Sequence, residues 1–263
     1  MSPAADPAPR QQPATGLRIV PRRIPKLAEV IAAELRAKIL SGQLAAGESL
    51  LSEATLMEQY EVSRPTLREA LRLLESQNLV SVRRGSHKGP VVVHPQVDVV
   101  ARAVAIQLQL RAATLADIYQ FRMIYEPTAA RWAAENVTPE GVASLRELLA
   151  EEERVLEDRV AFASATWRFH SVLAGVAGNA TMEIITESLR HISEQDAIRA
   201  MAAAPEGATW PRRALEAHRK LVALIEKGAG AEAERFWSRH MTKVAEMQRG
   251  WSENHRITEL SDY

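Results

Sequence analysis

The chain has 263 residues, with 33 Lys and Arg against 33 Asp and Glu, 7 His and no Cys. A content of 46% hydrophobic and 25% charged residues is that of a globular protein with a sizeable core, which excludes disorder along the whole length. No apolar run approaches the roughly 18 residues of a membrane span, and without cysteine there is no disulfide framework, thiolate zinc site or cysteine nucleophile. Any metal must be held by His, Asp or Glu, and the expectation is a cytoplasmic protein with no membrane partner.

Residues 1–24 are rich in Pro and Ala and lack a sustained apolar period, which predicts a disordered arm. The arm has no apolar core of a secretory signal, so export is not expected, and Arg18, Arg22 and Arg23 would add nonspecific attraction to phosphates. The neutral total hides a split at residue 95: 13 basic residues stand against 9 acidic before it, and 20 against 24 after it. Between Arg64 and Lys88, six basic residues face only Glu69 and Glu75. A local basic element in a neutral chain suits a polyanion, although a solvated helix face has the same composition.

From Lys26 to Leu40, Leu27, Val30, Ile31, Leu35 and Ile39 recur at helical spacing until Ser41-Gly42 stops the run. Ser52 is placed to cap a short helix through Tyr60. Ser63 is placed to cap another, with Pro65 in its first turn and Leu67, Ala70, Leu71 and Leu74 on its inner face. Leu79–Arg84 alternates like a strand, residues 85–89 read as a turn, and Pro90–Val93 reads as the returning strand. Three helices and a basic-tipped hairpin over residues 25–95 make a winged helix-turn-helix, in which the third helix enters the major groove. Arg64 and Arg68 lie four apart near the start of that helix with Thr66 beside them, and Arg72 continues the stripe toward the backbone.

Residues 96–114 are expected to be a linker, partly helical. From Leu115 onward every segment has helical period and no strand alternation. Helices are predicted over 115–136, 139–157, 161–177, 181–201, 211–227 and 230–250, leaving 251–263 as a tail. The fold class is therefore mainly α: a winged helix with a small β-hairpin, then an all-helical bundle over 115–250. There is no phosphate-binding glycine loop, nucleophile elbow or HExxH motif.

His170, His218 and His240 each fall on or beside the apolar face of a different predicted helix. Inward projection from facing helices is how bundles build metal sites, although core histidines with satisfied ring nitrogens produce the same pattern. For Arg122, on the first helix of the bundle, an ion pair with Asp117 or Glu126 is one reading.

The segment SEATLMEQYEVSRPTLREALRLLESQNLVSVRRGSHKG resembles the DNA-binding module of the GntR transcription regulators. The resemblance implies that Ser63, Arg64, Thr66 and Arg68 lie at phosphates and base edges, with Gly85 to Gly89 as the wing tip in the minor groove. Arg72, Arg84 and Lys88 complete the expected DNA-contact set. The family commonly has an arginine where this chain has Ala54, so operator preference is expected to differ. The stretch from Leu115 to about Met247 resembles the FCD effector-binding domain of the FadR subfamily, through IYQFRMIYEPTAARWAA, FHSVLAGVAGNA, EAHRKLVALI and SRHM. Many such domains hold a divalent metal with an aspartate and three histidines, at positions that here are Thr166, His170, His218 and His240. A neutral three-histidine set favours Zn²⁺ or Ni²⁺ over Mn²⁺, with Thr166 as a weak or water-mediated ligand; loss of the metal, leaving an organic effector on the histidines, stays open.

The resulting expectation is a homodimeric, ligand-responsive regulator of double-stranded operator DNA. A small carboxylate at Thr166 and at Arg122, where the resemblance implies a polar residue facing the cavity and a guanidinium would pair with it bidentately, would release it from an inverted repeat, and no organic cofactor is expected. A metal-dependent hydrolase or oxygenase on the three histidines is the alternative, but no general base is evident beside them and a winged helix would go unexplained. A DNA-binding protein with a non-functional effector pocket is the third reading.

Overall fold

The computed structural model describes residues 26–82, 89–202, 209–252 and 256–257. The expected arm and the wing-tip contacts Arg84, Gly85 and Lys88 lie outside the described residues. The chain divides into two compact units, Met1–Pro95 and Gln96–Tyr263.

The first unit contains α1 (Leu27–Leu40), α2 (Glu53–Tyr60), α3 (Arg64–Ser76), β1 (Val80–Ser81) and β2 (Val91–Val92). Ser52 caps α2 by accepting a hydrogen bond from the Thr55 amide at 3.2 Å. Glu61, at φ 51, takes the left-handed conformation that ends α2 and turns the chain toward α3. Ser63 occupies the cap position of α3, but its hydroxyl bonds the Thr66 hydroxyl at 2.9 Å and no backbone amide, so the expected cap is only positional. Ile31, Leu35 and Ile39 of α1 pack with Leu56 of α2 and with Leu67, Ala70, Leu71 and Leu74 of α3. The hairpin closes this core with Val80 opposite Val92 and Ser81 opposite Val91, and Ser49 bridges to Val91 on the other side. Gly89 is required where the returning strand begins, because a Cβ there would stand 2.1 Å from the Leu50 carbonyl oxygen.

The second unit is helical among its described residues: α4 (Val97–Leu110), α5 (Leu115–Glu135), α6 (Pro139–Arg154), α7 (Arg159–Val176), α8 (Ala180–Ala202), α9 (Trp210–Glu226) and α10 (Gly230–Ser252). Local chemistry sets the boundaries. Thr114 and Asp117 form a capping box at α5, Thr138 caps α6, Asp158 caps α7, and Asn179 accepts the Met182 amide at the start of α8. The stretch 96–114, expected as a linker, contains α4, which packs on α8 and buries Ala101 and Ala105 with Leu115, Tyr119, Trp167 and Ile192. In the stretch expected as a tail, Ser252 still belongs to α10 and Ile257 is buried in the same cluster.

The main core joins α5, α6, α7, α9 and α10. Ala129, Ala130, Ala133 and Ala134 give α5 a small-residue face, against which Ala233, Trp237 and Met241 of α10 pack. The two helices run antiparallel, because Arg131 pairs with Glu234 while Glu126, five residues earlier, meets Trp237. This arrangement brings the middles of α5, α7, α9 and α10 to one buried place.

Candidate functional site

Two sets of side chains answer the expectations from sequence. On α3, Arg64, Arg68 and Arg72 recur every fourth residue and are exposed, as is Ser63, while Thr66 is half-buried beneath them. Arg68 pairs with Glu53 of α2 at 3.3 Å and Arg72 with Glu69 at 3.7 Å, both in solvent, where such pairs contribute about 0–1 kcal/mol and yield readily to a phosphate. Arg64 makes no ion pair with a described residue. The buried face of the same helix carries Leu67, Leu71 and Leu74, so packing fixes which way the arginines point.

The second set lies inside the helical unit. His170 of α7, His218 of α9 and His240 of α10 each offer a ring nitrogen, and these nitrogens all lie within 4.8 Å of one another. His170 and His218 are buried, and His240 is half-buried. The rings are held from behind: His218 stacks on Phe169 with centroids 4.2 Å apart, and His240 stacks on Trp237 at 4.4 Å. Carboxylates orient two of them. His170 Nδ1 is 2.6 Å from Glu126 of α5, and His218 Nδ1 is 2.8 Å from Glu152 of α6. A carboxylate on Nδ1 selects the tautomer that leaves Nε2 with a lone pair, the usual outer support of a metal-binding imidazole. The Nε2 atoms of His218 and His240 are buried and meet no hydrogen-bond partner among the described residues. Three neutral nitrogen donors with orphaned ring atoms fit a divalent cation that favours nitrogen, Zn²⁺ or Ni²⁺.

Electrostatics agree with this arrangement. Burial, reinforced by the neighbouring imidazoles, pushes His240 down to about 2. Burial likewise pushes His170 down to about 4 against the opposing pull of Glu126. Burial on its own would raise the Glu126 carboxyl, but Arg122 and His170 outweigh it and hold it down to about 2.

Of the readings of Arg122, the structure shows the ion pair with Glu126: its Nε donates to the carboxylate at 2.6 Å, with the guanidinium 3% and the carboxylate 0% exposed. Asp117, the other candidate partner, is engaged by the Thr114 amide at 2.7 Å in the capping box. The guanidinium also lies 4.2 Å over the Trp167 ring, and its Nη2 has no hydrogen-bond partner among the described residues. Thr166, one turn before His170, is buried, and its hydroxyl meets no partner among the described residues. Trp167 Nε1 is a further buried polar atom without a hydrogen-bond partner among the described residues, whereas Tyr119 Oη faces the Gln248 amide. Several orphaned groups in one region mark a place built to face something other than the chain itself.

Glu126, Glu152 and Trp237 complete the site, and no sequence motif marks them as parts of it. The available signal was faint: Glu126 stands four residues after Arg122, and Glu152 is the middle of three acids at 151–153, of which only it is fully buried. Asn179 caps α8, and His191 is half-buried 3.4 Å from Glu187, away from the histidine cluster.

Comparison with known proteins gives these features a context. Residues 27–87 match the model of bacterial regulatory proteins of the gntR family, and residues 117–243 match that of the FCD domain. An HTH-type transcriptional repressor NanR of Edwardsiella tarda (strain FL6-60) is 32% identical over 157 residues, 59% of this chain and 60% of that protein. Its namesake from Salmonella newport (strain SL254) is 32% identical over 166 residues, 62% and 63% of the two chains. The match thus spans about three fifths of these relatives. The solved structure of Streptococcus agalactiae GntR covers 83% of this chain and 99% of its own, with a TM-score of 0.62 at 24% identity, a likeness of fold. With a gntR-type winged helix followed by an FCD domain, the chain belongs to the GntR family of bacterial regulatory proteins.

Proposed function

We propose that this chain is a ligand-responsive transcription regulator that binds operator DNA as a homodimer and represses until a small carboxylate effector occupies the helical unit. The observation that carries the reading is the exposed basic stripe of α3, held by a buried leucine face in a gntR-type winged helix. Arg64 and Arg68 are the base-reading candidates, and a bidentate arginine to guanine is worth about 1–3 kcal/mol of discrimination. Ser63, Thr66 and Arg72, with Arg84, Gly85 and Lys88 of the wing, would position the protein on phosphates. The 32%-identical relatives named as repressors support the sign of the response.

His170, His218 and His240 would hold one divalent metal, zinc or nickel in preference to manganese, with no organic cofactor. The metal, when bound, supplies open coordination positions for a carboxylate. The chain's own residues do the rest: Glu126 and Glu152 orient imidazoles, Thr166 and the free edge of Arg122 face the ligand, and Phe169 and Trp237 wall off the rings. A catalytic role is not favoured, because both buried carboxylates near the triad are committed to imidazole Nδ1 atoms and neither is placed as a general base. The dimer reading is supported by exposed Phe121 and Ile124 on α5 and Ile184 and Ile185 on α8, two helices that pack on each other. Such a regulator works in the cytoplasm.

The test is selection from a random duplex pool at physiological salt. Wild-type protein is expected to enrich one inverted-repeat sequence, and Arg68→Ala is expected to lower affinity for it at least tenfold. Enrichment of nothing, or an unchanged affinity in the variant, would remove the assignment of α3.

A further inference from the structure

We propose that the segment following α10 is a latch: Arg256 and Ile257 close the corner between α4 and α5 and hold α4 on the helical unit, and α4 so held is the short tether through which two DNA-binding units act together. The tether rests on the homodimeric, operator-binding reading above; the latch does not.

α4 begins at Val97, two residues after the first unit ends at Pro95, so any freedom of α4 passes along the backbone to the DNA-binding unit. By itself α4 is weakly anchored. The side chains it buries fully are Ala101 and Ala105, with Val104 and Leu108 partly buried beside them, whereas Val100, Ile106 and Leu110 are exposed. Alanines remove little apolar area from water, and a helix of 14 residues is marginal without packing.

The corner after α4 is strained as well. The Ala113 amide returns to the Leu108 carbonyl at 3.0 Å and the Ala112 amide to that of Gln109 at 2.9 Å, the closing pattern of a helix whose next residue is left-handed. Glycine is usual at that position. Here it is Ala112, at φ 52, where a Cβ crowds the backbone.

The segment after α10 holds the chain just beyond that alanine. α10 runs antiparallel to α5, so the chain leaving Ser252 is near the start of α5. There Arg256 bridges antiparallel to Thr114, the Ile257 amide donates to the Ala113 carbonyl at 3.1 Å, and the Ile257 side chain is 4% exposed. Ile257 belongs to the cluster that joins the two alanines of α4 to Leu115, Ile118 and Tyr119 of α5, Trp167 of α7 and Ile192 of α8. Thr114 is thereby fixed on both sides, by its capping box with Asp117 and by the bridge to Arg256. A helix held by small side chains and one clip opens locally before the unit unfolds. In a dimer such opening acts on two half-sites and not on one. The second half-site is bound intramolecularly, at an effective concentration that falls as the tether samples more arrangements, while contact with a single half-site is unchanged.

The experiment follows hydrogen exchange by mass spectrometry on the full chain, and measures affinity for the selected inverted repeat and for a duplex carrying one half of it. Ile257→Asp should speed exchange of residues 101–111 at least tenfold and leave residues 215–225 of α9 within twofold. Ile257→Leu should stay within threefold of the wild type. Ala112→Gly, at an exposed position outside the core, should slow exchange over 101–111 at least threefold. Ile257→Asp should weaken binding to the inverted repeat at least fivefold and to the half-site less than twofold. Equal acceleration of α4 and α9, or unchanged exchange of α4 in both Ile257→Asp and Ala112→Gly, overturns the latch. An equal loss on repeat and half-site overturns the tether. If the wild type prefers no duplex, the operator reading falls and exchange alone decides the latch.

Discussion

Glu126 is the side chain whose loss the structure makes most costly, because it accepts from Arg122 Nε at 2.6 Å, His170 Nδ1 at 2.6 Å and Trp237 Nε1 at 2.9 Å with no exposure to water. Glu126→Leu leaves a buried guanidinium without its counter-charge, which costs about 3–5 kcal/mol. The carboxyl points the same way: Arg122 and His170 hold it below its ordinary 4.5 in spite of burial, so the charged form is the one the fold favours. Arg122→Leu, which strands the carboxylate instead, should cost a similar amount. In the double variant both charges are gone, and the remaining loss is the hydrogen bonds to His170 and Trp237, at about 1 kcal/mol each. The two single costs should therefore greatly exceed the double, with a coupling of at least about 3 kcal/mol. All 5 tryptophans lie between residues 132 and 251, so their fluorescence in a urea titration of the metal-free protein follows the helical unit. A double variant that loses as much as the two singles combined would refute the claim that Arg122 is neutralised by Glu126.

The pH response has a definite sign. His170 and His240 have folded values depressed from 6.5 to about 4 and about 2, so the unfolded chain takes up their protons first. Their contribution to stability is complete above about pH 6.5 and falls as pH drops below it, by about 2 kcal/mol per imidazole at pH 5. A metal-free urea midpoint that stays flat from pH 7 to pH 5 would contradict this. Glu152→Gln should keep one metal per chain at saturating zinc while weakening affinity about 10–100-fold, whereas His218→Ala should lose the stoichiometry in elemental analysis. Ile124→Glu, at a position 74% exposed on α5, should leave the fold intact by circular dichroism and shift sedimentation from dimer to monomer; an unchanged dimer would place the interface elsewhere.

Most of the helical boundaries were legible because each is written twice, in the apolar period and in the residue that closes it. Thr114 with Asp117, Thr138, Asp158 and Asn179 start helices, while Gly178 and Gly228, at φ 75 and 66, stand where they end. The convergence of His170, His218 and His240 was legible as a pattern of faces, since each lies on the inward side of its own helix. Their carboxylate supports were not, because a buried Glu152 between Glu151 and Glu153 differs from its neighbours only in helical phase, and a shift of one residue would have chosen another acid. Sequence reading took α4 for connection because its buried contacts are the alanines Ala101 and Ala105, while Ile106 and Leu110, the residues that look like core, are exposed. The role of Arg122 was open for a related reason: two acids lay within reach along α5, and only the capping of Thr114 removes Asp117 from the choice.

The site draws on five helices: α7, α9 and α10 give the imidazoles, α5 and α6 the carboxylates behind them. A ligand bound there stabilises their mutual packing by RT ln(1 + [L]/Kd), about 4 kcal/mol at a thousandfold excess over Kd. To act as a switch, that free energy must fall on an element with more than one accessible arrangement. Pro127, directly after Glu126, supplies one on α5: with no N–H it cannot donate to the carbonyl four residues back, so the hydrogen-bond ladder is interrupted beside the carboxylate that touches both Arg122 and His170. Restoring the ladder with Pro127→Ala should stiffen α5 and leave Glu126 in place. Metal stoichiometry would then be retained while the ligand's effect on DNA affinity shrinks, and an undiminished ligand effect would show that α5 is not the element that moves.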